Sequence, residues 1–442
     1  MAPNKIAYVA FTRRAAREAR ERAATELGLS ADDLPWWRTL HSTATRELHA
    51  GGQLLVGQHW QVLGDSLKMT FGDLDEAGRP MTVKQDLGHQ VQATYYLRRA
   101  RQQSLRWDYL LGDLGFELAY HVCRFEKTLT AYKAQYDLLD YADLLDEAPG
   151  ELSAEVVLLD EAQDLTAQQW IYFERLRRSA KRVYIAGDDE QAIFSWAGAD
   201  VNRFLGLQGK RVVLTVSHRL PKAAYLVARC ISAAIRVKEP KIWRPSERAG
   251  RVEYLVDPHR LALDQGTWLL LTRTRALLAV WEAACREAPV RYIVNGVDSV
   301  RSVEVQAIQL WERARQGKAL SPEERAATTA LAERRVAGTG SPIWHEALTR
   351  IPQARRWYYE ALLRRHGKNG LLSPARVRLD TVHGAKGAEA DHVGLLPDLT
   401  PRIERGRRTD PDAEHRVWYV AATRCRESLH VACPNSNFYY RL

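Results

Sequence analysis

Four apolar residues, Val156 to Leu159, run directly into Asp160-Glu161-Ala162-Gln163-Asp164, and no other string constrains the chain as much. An unbroken apolar run of this length, bounded by polar residues, reads as a strand covered on both faces, as in a parallel sheet. Such a strand delivers the residues after it to the carboxyl edge of the sheet, where α/β folds bind their ligands. Here those residues begin with two adjacent carboxylates. One can hold Mg²⁺ beside a triphosphate while its neighbour orients and deprotonates an attacking water. An acidic helix N-terminus would also accept Asp and Glu. The full Asp-Glu-Ala-Gln-Asp string after four apolar residues favours the chemical reading.

The same pattern recurs in Ile6 to Phe11, Val183 to Ala186, Val212 to Val216, Trp268 to Leu271 and Val377 to Val382, each followed by helix-like periodicity. Alternating strand and helix predicts an α/β fold with parallel sheets. Two stretches break the rhythm and read as helical insertions, about 45–135 and about 295–375. A length of 442 residues exceeds one core. The expected organisation is therefore a first core of 1–45 and 135–205 with an insertion at 46–134. A second core would comprise 206–290 and 376–442, with an insertion at 291–375.

Composition excludes several classes. No run of 18 or more apolar residues spans a membrane, and the N-terminus lacks a signal peptide's apolar core and cleavage site. Five scattered cysteines, with no CxxC pair, argue for a reduced, cytoplasmic setting and against a zinc module. A net charge of +10 suits a polyanionic partner without requiring one.

A second strand run, Arg182 to Ala186, leads into Gly187-Asp188-Asp189-Glu190-Gln191-Ala192-Ile193-Phe194-Ser195-Trp196-Ala197-Gly198-Ala199. A Gln at a strand end can sense a γ-phosphate through its amide. A Trp a few residues later can offer its face to a base, although a buried core indole is the commoner role. After the first strand, Arg13, Arg17 and Arg20 form a basic stripe at helical spacing, interlaced with Glu18 and Glu21.

These strings resemble motifs II and III of the UvrD/Rep/PcrA-like superfamily 1 helicases. Further matches occur in that family's order. Ala10-Phe11-Thr12-Arg13-Arg14-Ala15-Ala16-Arg17-Glu18 looks like motif Ia, and Thr39-Leu40-His41-Ser42 looks like Ib. Asp140-Tyr141-Ala142-Asp143-Leu144-Leu145 resembles the segment that precedes motif II. Leu214-Thr215-Val216-Ser217-His218-Arg219 looks like motif IV. Asp380-Thr381-Val382-His383-Gly384-Ala385-Lys386-Gly387-Ala388-Glu389 resembles motif V, and Trp418-Tyr419-Val420-Ala421-Ala422-Thr423-Arg424 resembles motif VI. The matches span nearly the whole chain.

The resemblance implies two RecA-like, P-loop NTPase-type cores, with ATP and Mg²⁺ between them and single-stranded DNA, or a single-strand/duplex junction, across the top. Asp160 would bind Mg²⁺, Glu161 would activate water, and Gln191 would report the γ-phosphate. Arg219 and Arg424 would act as arginine fingers, their forks spreading over phosphate oxygens. Gly387 would lie against the nucleotide and Glu389 would touch its sugar. Phe11, Thr12, Arg13, His41, Ser42, Trp196, Thr381 and His383 would line the single-strand track.

The family's phosphate loop, GxxxxGK[ST], does not occur in these 442 residues. Its backbone N–H groups cradle phosphates, its Lys neutralises charge, and its Ser/Thr completes the Mg²⁺ shell. Losing one such preorganised donor costs about 10²–10³ in rate. Smaller departures are Ala197 where the family commonly has Arg, Ser217-His218 in place of Asn-Tyr, Ala388 in place of a bulky apolar residue, and a short second insertion.

Three expectations are compatible with this pattern. The chain is part of an ATP-driven 3′-to-5′ translocase, the larger part of a split helicase whose partner supplies the loop, or an ATPase-silent DNA-binding relative. Retention of Asp160, Glu161, Gln191, Arg219 and Arg424 argues against the last, and ATP turnover by this chain alone is not expected. A nuclease fusion would need a further carboxylate and Lys cluster after motif VI, where only eleven residues come after Val431.

Overall fold

A strand buried on both faces needs neighbours on either side, and Ile6–Ala10 (β1) finds them. In the computed structural model, which describes residues 2–74, 86–333 and 338–442, β1 pairs in parallel with Trp37–Thr39 (β2) and with Val156–Asp160 (β3). Arg182–Ile185 (β4) pairs with β3, giving the order β2-β1-β3-β4. The register sets Ala10 beside Asp160, so β1 and β3 end together. Helix Arg13–Leu27 starts at once because the Thr12 hydroxyl accepts the Ala15 N–H at 3.2 Å.

β4 is less enclosed. The N–H groups of Arg182 and Ala186 point to β3, donating to the carbonyls of Glu155 and Leu159. Alternation turns those of Val183 and Ile185 the other way, where no further strand extends the sheet among the described residues. Tyr184 is 55% exposed.

The chain divides into two compact units, Met1–Arg211 and Val212–Leu442. Within the first, helices Gln58–Leu67, Leu87–Ala100, Trp107–Leu114 and Phe116–Tyr136 pack around a separate core of Trp60, Tyr95, Tyr96, Phe125 and Leu129. Residues 75–85 of the expected insertion lie outside the described residues. Lys133 at the end of the last of these helices donates to Asp140 at 2.8 Å, and Asp140 caps helix Tyr141–Glu147. This buried ion pair ties the inserted helices to the segment that leads into β3.

The second unit holds a seven-stranded sheet: Arg251–Val256 (β5), Trp268–Thr272 (β6), Tyr292–Val294 (β7), Val297–Asp298 (β8), Val377–Thr381 (β9), Ala390–Leu396 (β10) and Cys425–Ala432 (β11). Their order is β5-β11-β10-β6-β9-β7-β8, parallel except where β8 pairs with β7. Every residue of β6 is buried. Trp281, Trp311, Tyr359 and Leu379 are among its covering core.

Two sequence readings differ from this arrangement. Val212 to Val216 is not a strand: Val216 makes one isolated bridge to Arg244, while Val212 and Leu214 are 73% and 86% exposed. Among the described residues of its unit the run joins no ladder, and β propensity without a paired, half-buried surface does not make a strand. In addition, β7 and β8, at the start of the expected second insertion, join the sheet instead. The helices Ser302–Arg315, Pro322–Thr329 and Gln353–His366 come after them; residues 334–337 lie outside the described residues. No described helix is long and apolar enough to cross a membrane.

Candidate active site

In the first unit the chemistry gathers at the carboxyl ends of β1, β3 and β4. Asp160 is the last residue of β3, and Glu161 comes next in the left-handed region, φ 55°. A non-glycine residue held there is strained, and such strain clusters at functional sites. One Asp160 oxygen accepts Glu161 N–H at 2.9 Å, and the other accepts the Tyr8 hydroxyl from β1. The Tyr8 ring stacks on Trp37 with centroids 5.1 Å apart. Burial, then the Asp160 carboxylate, push the Tyr8 hydroxyl far above its usual range, so it remains a proton donor.

A chain of hydrogen bonds runs from Glu161 to Gln191. The Gln163 amide donates to the Glu161 carboxylate at 2.5 Å, and its carbonyl accepts Asp188 N–H at 3.0 Å. The Asp188 carboxylate in turn accepts the Gln191 amide at 2.7 Å. Gly187 permits the middle link, because a Cβ there would stand 2.5 Å from the Gln163 carbonyl oxygen. The ends of β3 and β4 are thereby coupled through side chains, with Gln163 buried at the centre.

Asp160 suits Mg²⁺ as a hard oxygen donor at a strand end. No group of three or more His, Cys, Asp or Glu that could cage a metal occurs among the described residues.

Beside these strand ends lies an aromatic row. Phe11 and Phe194 have centroids 5.4 Å apart, and Phe194 and Trp196 6.3 Å. Phe11 and Phe194 are buried, whereas Trp196 is 55% exposed, so the outer indole alone offers a broad face. Thr12 is engaged as a helix cap, and Arg13 is exposed. His41 is buried with its ring edge-on to Tyr141 at 5.7 Å, and Ser42 accepts Arg38 at 3.2 Å. Arg17 lies 3.9 Å from Glu21 and Glu18 pairs with Arg22, so acids partly neutralise the basic stripe.

In the second unit, Arg219 donates to Glu389 at 3.3 Å, and Arg426 donates to the same carboxylate at 3.1 Å. Burial alone would raise the Glu389 carboxyl, but the hydrogen bonds from Arg426 and Arg219 outweigh it and hold it below the usual range. The Arg219 Nε is buried without a hydrogen-bond partner. Arg424 is 2% exposed, donating to the Val420 carbonyl and the Thr423 hydroxyl, each at 2.9 Å. Thr381 accepts Gly384 N–H at 3.2 Å; His383 is half-buried and Gly387 is exposed with φ 75°.

Three further sets of residues belong to these clusters. Gln163 and Asp188 stand inside strings already singled out, but their bonding emerges only when β3 and β4 are side by side. Tyr8 becomes relevant only through the β1–β3 register. Arg426, two residues beyond Arg424, gave no separate signal.

A parallel α/β core with polar residues gathered at its strand ends has the architecture of a RecA-like domain. Residues 1–211 match the UvrD/REP helicase N-terminal domain and residues 358–436 the UvrD-like helicase C-terminal domain. The chain belongs to the UvrD-like superfamily 1 DNA helicases, with two RecA-like α/β domains. It is 24% identical over 277 residues to the ATP-dependent DNA helicase PcrA of Bacillus subtilis, covering 58% of this chain and 36% of that protein. DNA helicase II of Salmonella typhimurium and of Escherichia coli are each 29% identical over 222 residues, covering 46% of this chain and 30% of theirs. The aligned part is thus about a third of the length of these relatives.

Proposed function

We propose that this chain forms the main body of an ATP-driven, single-stranded DNA translocase of 3′-to-5′ polarity, acting on single strands or on single-strand/duplex junctions. The observation that carries the reading is the bond chain Glu161–Gln163–Asp188–Gln191, which ends five residues before the exposed Trp196. It gives a physical route by which the nucleotide state at one strand end alters a stacking surface at the next. In this reading Asp160 holds Mg²⁺, which supplies charge neutralisation to the phosphates when bound. Glu161 orients the attacking water and accepts its proton, and Gln191 donates its amide to the γ-phosphate. Arg219 and Arg424 stabilise charge on the phosphoryl oxygens, Gly387 approaches the nucleotide, and Glu389 accepts from the sugar hydroxyls. Trp196 stacks a base, with Phe11, Thr12, Arg13, His41, Ser42, Thr381 and His383 shaping the track. The enzyme would work in a reduced cytoplasm, a setting that suits five scattered cysteines with no CxxC pair.

The phosphate cradle must come from residues outside these 442, either from more of the same polypeptide or from a partner. The open side of β4 supports this, since it leaves backbone donors and acceptors available to another strand beside the chemical groups. DNA-stimulated ATP hydrolysis tests the reading, assayed on this chain alone and on a longer polypeptide or complex containing GxxxxGK[ST]. Turnover is expected only with the loop and should fall about 10²–10⁴-fold in Glu161→Gln. Absence of turnover with the loop in place would sink the translocase reading and favour a silent DNA-binding relative. Turnover by the 442 residues alone would sink the externally supplied cradle.

A further inference from the structure

Helix Leu87–Ala100 ends in a cluster of three arginines that meet different fates. Arg98 pairs with Asp113 at 2.9 Å, and Arg99 pairs with Asp146 at 2.7 Å and with Asp143 at 3.4 Å. Arg101 is exposed, and no carboxylate pairs with it among the described residues. Its guanidinium donates instead to the Ser195 carbonyl at 3.0 Å, immediately before Trp196. That bond uses one N–H of five and leaves the charge uncompensated.

This contact is built into the fold. Gly198, two residues after Trp196, has φ 98°, and a Cβ placed on it would meet Ala100 Cβ at 3.3 Å and Arg101 Cγ at 3.4 Å. The helix end is therefore pressed against the Trp196 loop at the point where a side chain would interfere. The exposed indole beside it rests on Phe194. An exposed aromatic face next to a fixed, uncompensated guanidinium is suited to one polymer in particular. A single-stranded nucleic acid presents a base to stack and, within one nucleotide, a phosphate to bind a forked cation.

We infer that Arg101 is a nucleic-acid contact, binding the backbone phosphate next to the nucleotide whose base stacks on Trp196. The inserted helices thereby contribute a binding residue to the loop after β4. This inference rests on the single-strand reading above. Its distinguishing property is electrostatic. A phosphate contact contributes to the salt dependence of binding, whereas a stacking contact or a purely structural tether does not.

The test is the affinity for a fluorescent oligothymidylate, measured across a series of salt concentrations. Arg101→Gln keeps an amide donor for the Ser195 carbonyl and removes the charge. It should weaken binding roughly 3- to 10-fold at moderate salt and reduce the slope of log K against log salt by about 0.7. Arg101→Lys should restore most of the slope. Trp196→Ala should weaken binding roughly 5- to 150-fold with the slope unchanged. An unchanged slope in Arg101→Gln, with wild-type binding intact, overturns this inference alone and leaves Arg101 a structural tether. Absence of oligothymidylate binding by the wild-type chain overturns the single-strand reading itself. Should the Gln variant fail to fold, the Lys variant and Arg101→Met carry the same comparison of slopes.

Discussion

The two sheets of this molecule are built from similar apolar runs, yet they are held in different ways. In the second unit β6 lies between β10 and β9 and is buried along its whole length. In the first unit β4 has one bonded side among the described residues, and its residues alternate between exposed and half-buried. The second sheet has a central strand enclosed by apolar burial, whereas the strand ends of the first are joined by side-chain hydrogen bonds from Tyr8 to Asp160 and through Gln163 to the loop after β4. Those strand ends carry Asp160, Glu161 and the Asp188–Gln191 turn. The less enclosed sheet is thus the one that carries the paired carboxylates.

Hydrogen exchange gives the largest expected contrast. The amides of Leu269 and Leu271 in β6 should open only on unfolding of their unit, whereas those of Val183 and Ile185 on the open side of β4 need little opening. Exchange rates should differ by more than about 10³-fold, since global stabilities of domains are typically several kcal/mol. Equal protection would mean that β4 is covered in solution, for instance by a second chain, and the comparison would fail.

Substitution should reproduce the contrast on an energy scale. Leu270 is fully buried, and Leu270→Ala should cost about 2–5 kcal/mol in denaturant unfolding of the second unit. Tyr184→Ala on β4 should stay within about 0.5 kcal/mol, as expected for an exposed position. A loss at Tyr184 comparable to that at Leu270 would show that the β4 face is packed.

Polar interactions should dominate in the first unit. Lys133→Met leaves Asp140 buried without its cation and should cost about 3–5 kcal/mol near neutral pH. In the native protein, burial would raise the Asp140 carboxyl, but the Lys133 charge and hydrogen bond outweigh it and hold it below its usual value. Its stabilisation is therefore present above the unfolded carboxylate pKa, about 4, and is lost as pH falls through the lower folded value. Without Lys133 the burial effect prevails, and protonating Asp140 then favours folding. The gap between wild type and variant should narrow as pH drops below about 4. A gap independent of pH would exclude this pair as the cause. Asp143 shares Lys133 but is pushed upward, by burial and then by the Asp140 charge, so its contribution has the opposite pH dependence.

The same contrast explains which features were legible in the sequence. β3 could be read from Val156 to Leu159 because a strand covered on both faces needs no alternation to declare itself. The strings around Asp160, Gln191 and Trp196 were legible because neighbouring residues carry the chemistry. Val212 to Val216 misled because its composition suits a strand, while pairing depends on the chain that lies beside it. β5, with Arg251 and Glu253 among its residues, and β11, which opens Cys-Arg-Glu-Ser, lacked the apolar signal. The burial of Phe11, His41 and Arg424 could not be read from one dimension, and neither could the Tyr8–Asp160, Gln163–Asp188 and Arg426–Glu389 contacts. Each of these depends on residues brought together by register or packing.

Tyr8 offers the finest test of whether strand-end hydrogen bonds hold the first sheet. Tyr8→Phe keeps the ring and its stack on Trp37 but removes the hydroxyl that Asp160 accepts. Asp160 is only half-buried and retains the Glu161 N–H, so water can replace part of what is lost. The expected cost is therefore about 1 kcal/mol, near the net value of one hydrogen bond, read as a shift in urea midpoint at unchanged slope. Tyr8→Ala should cost more, because it also removes ring burial. If Phe were silent and Ala costly, the ring alone would secure β1 against β2, and the strand-end bond would contribute nothing measurable. If Phe cost as much as Ala, the hydroxyl would be the dominant tie between β1 and β3. The intermediate result would mean that the sheet's packing and the candidate metal carboxylate are coupled through one side chain, so occupation of Asp160 by a cation would be felt in the stability of β1.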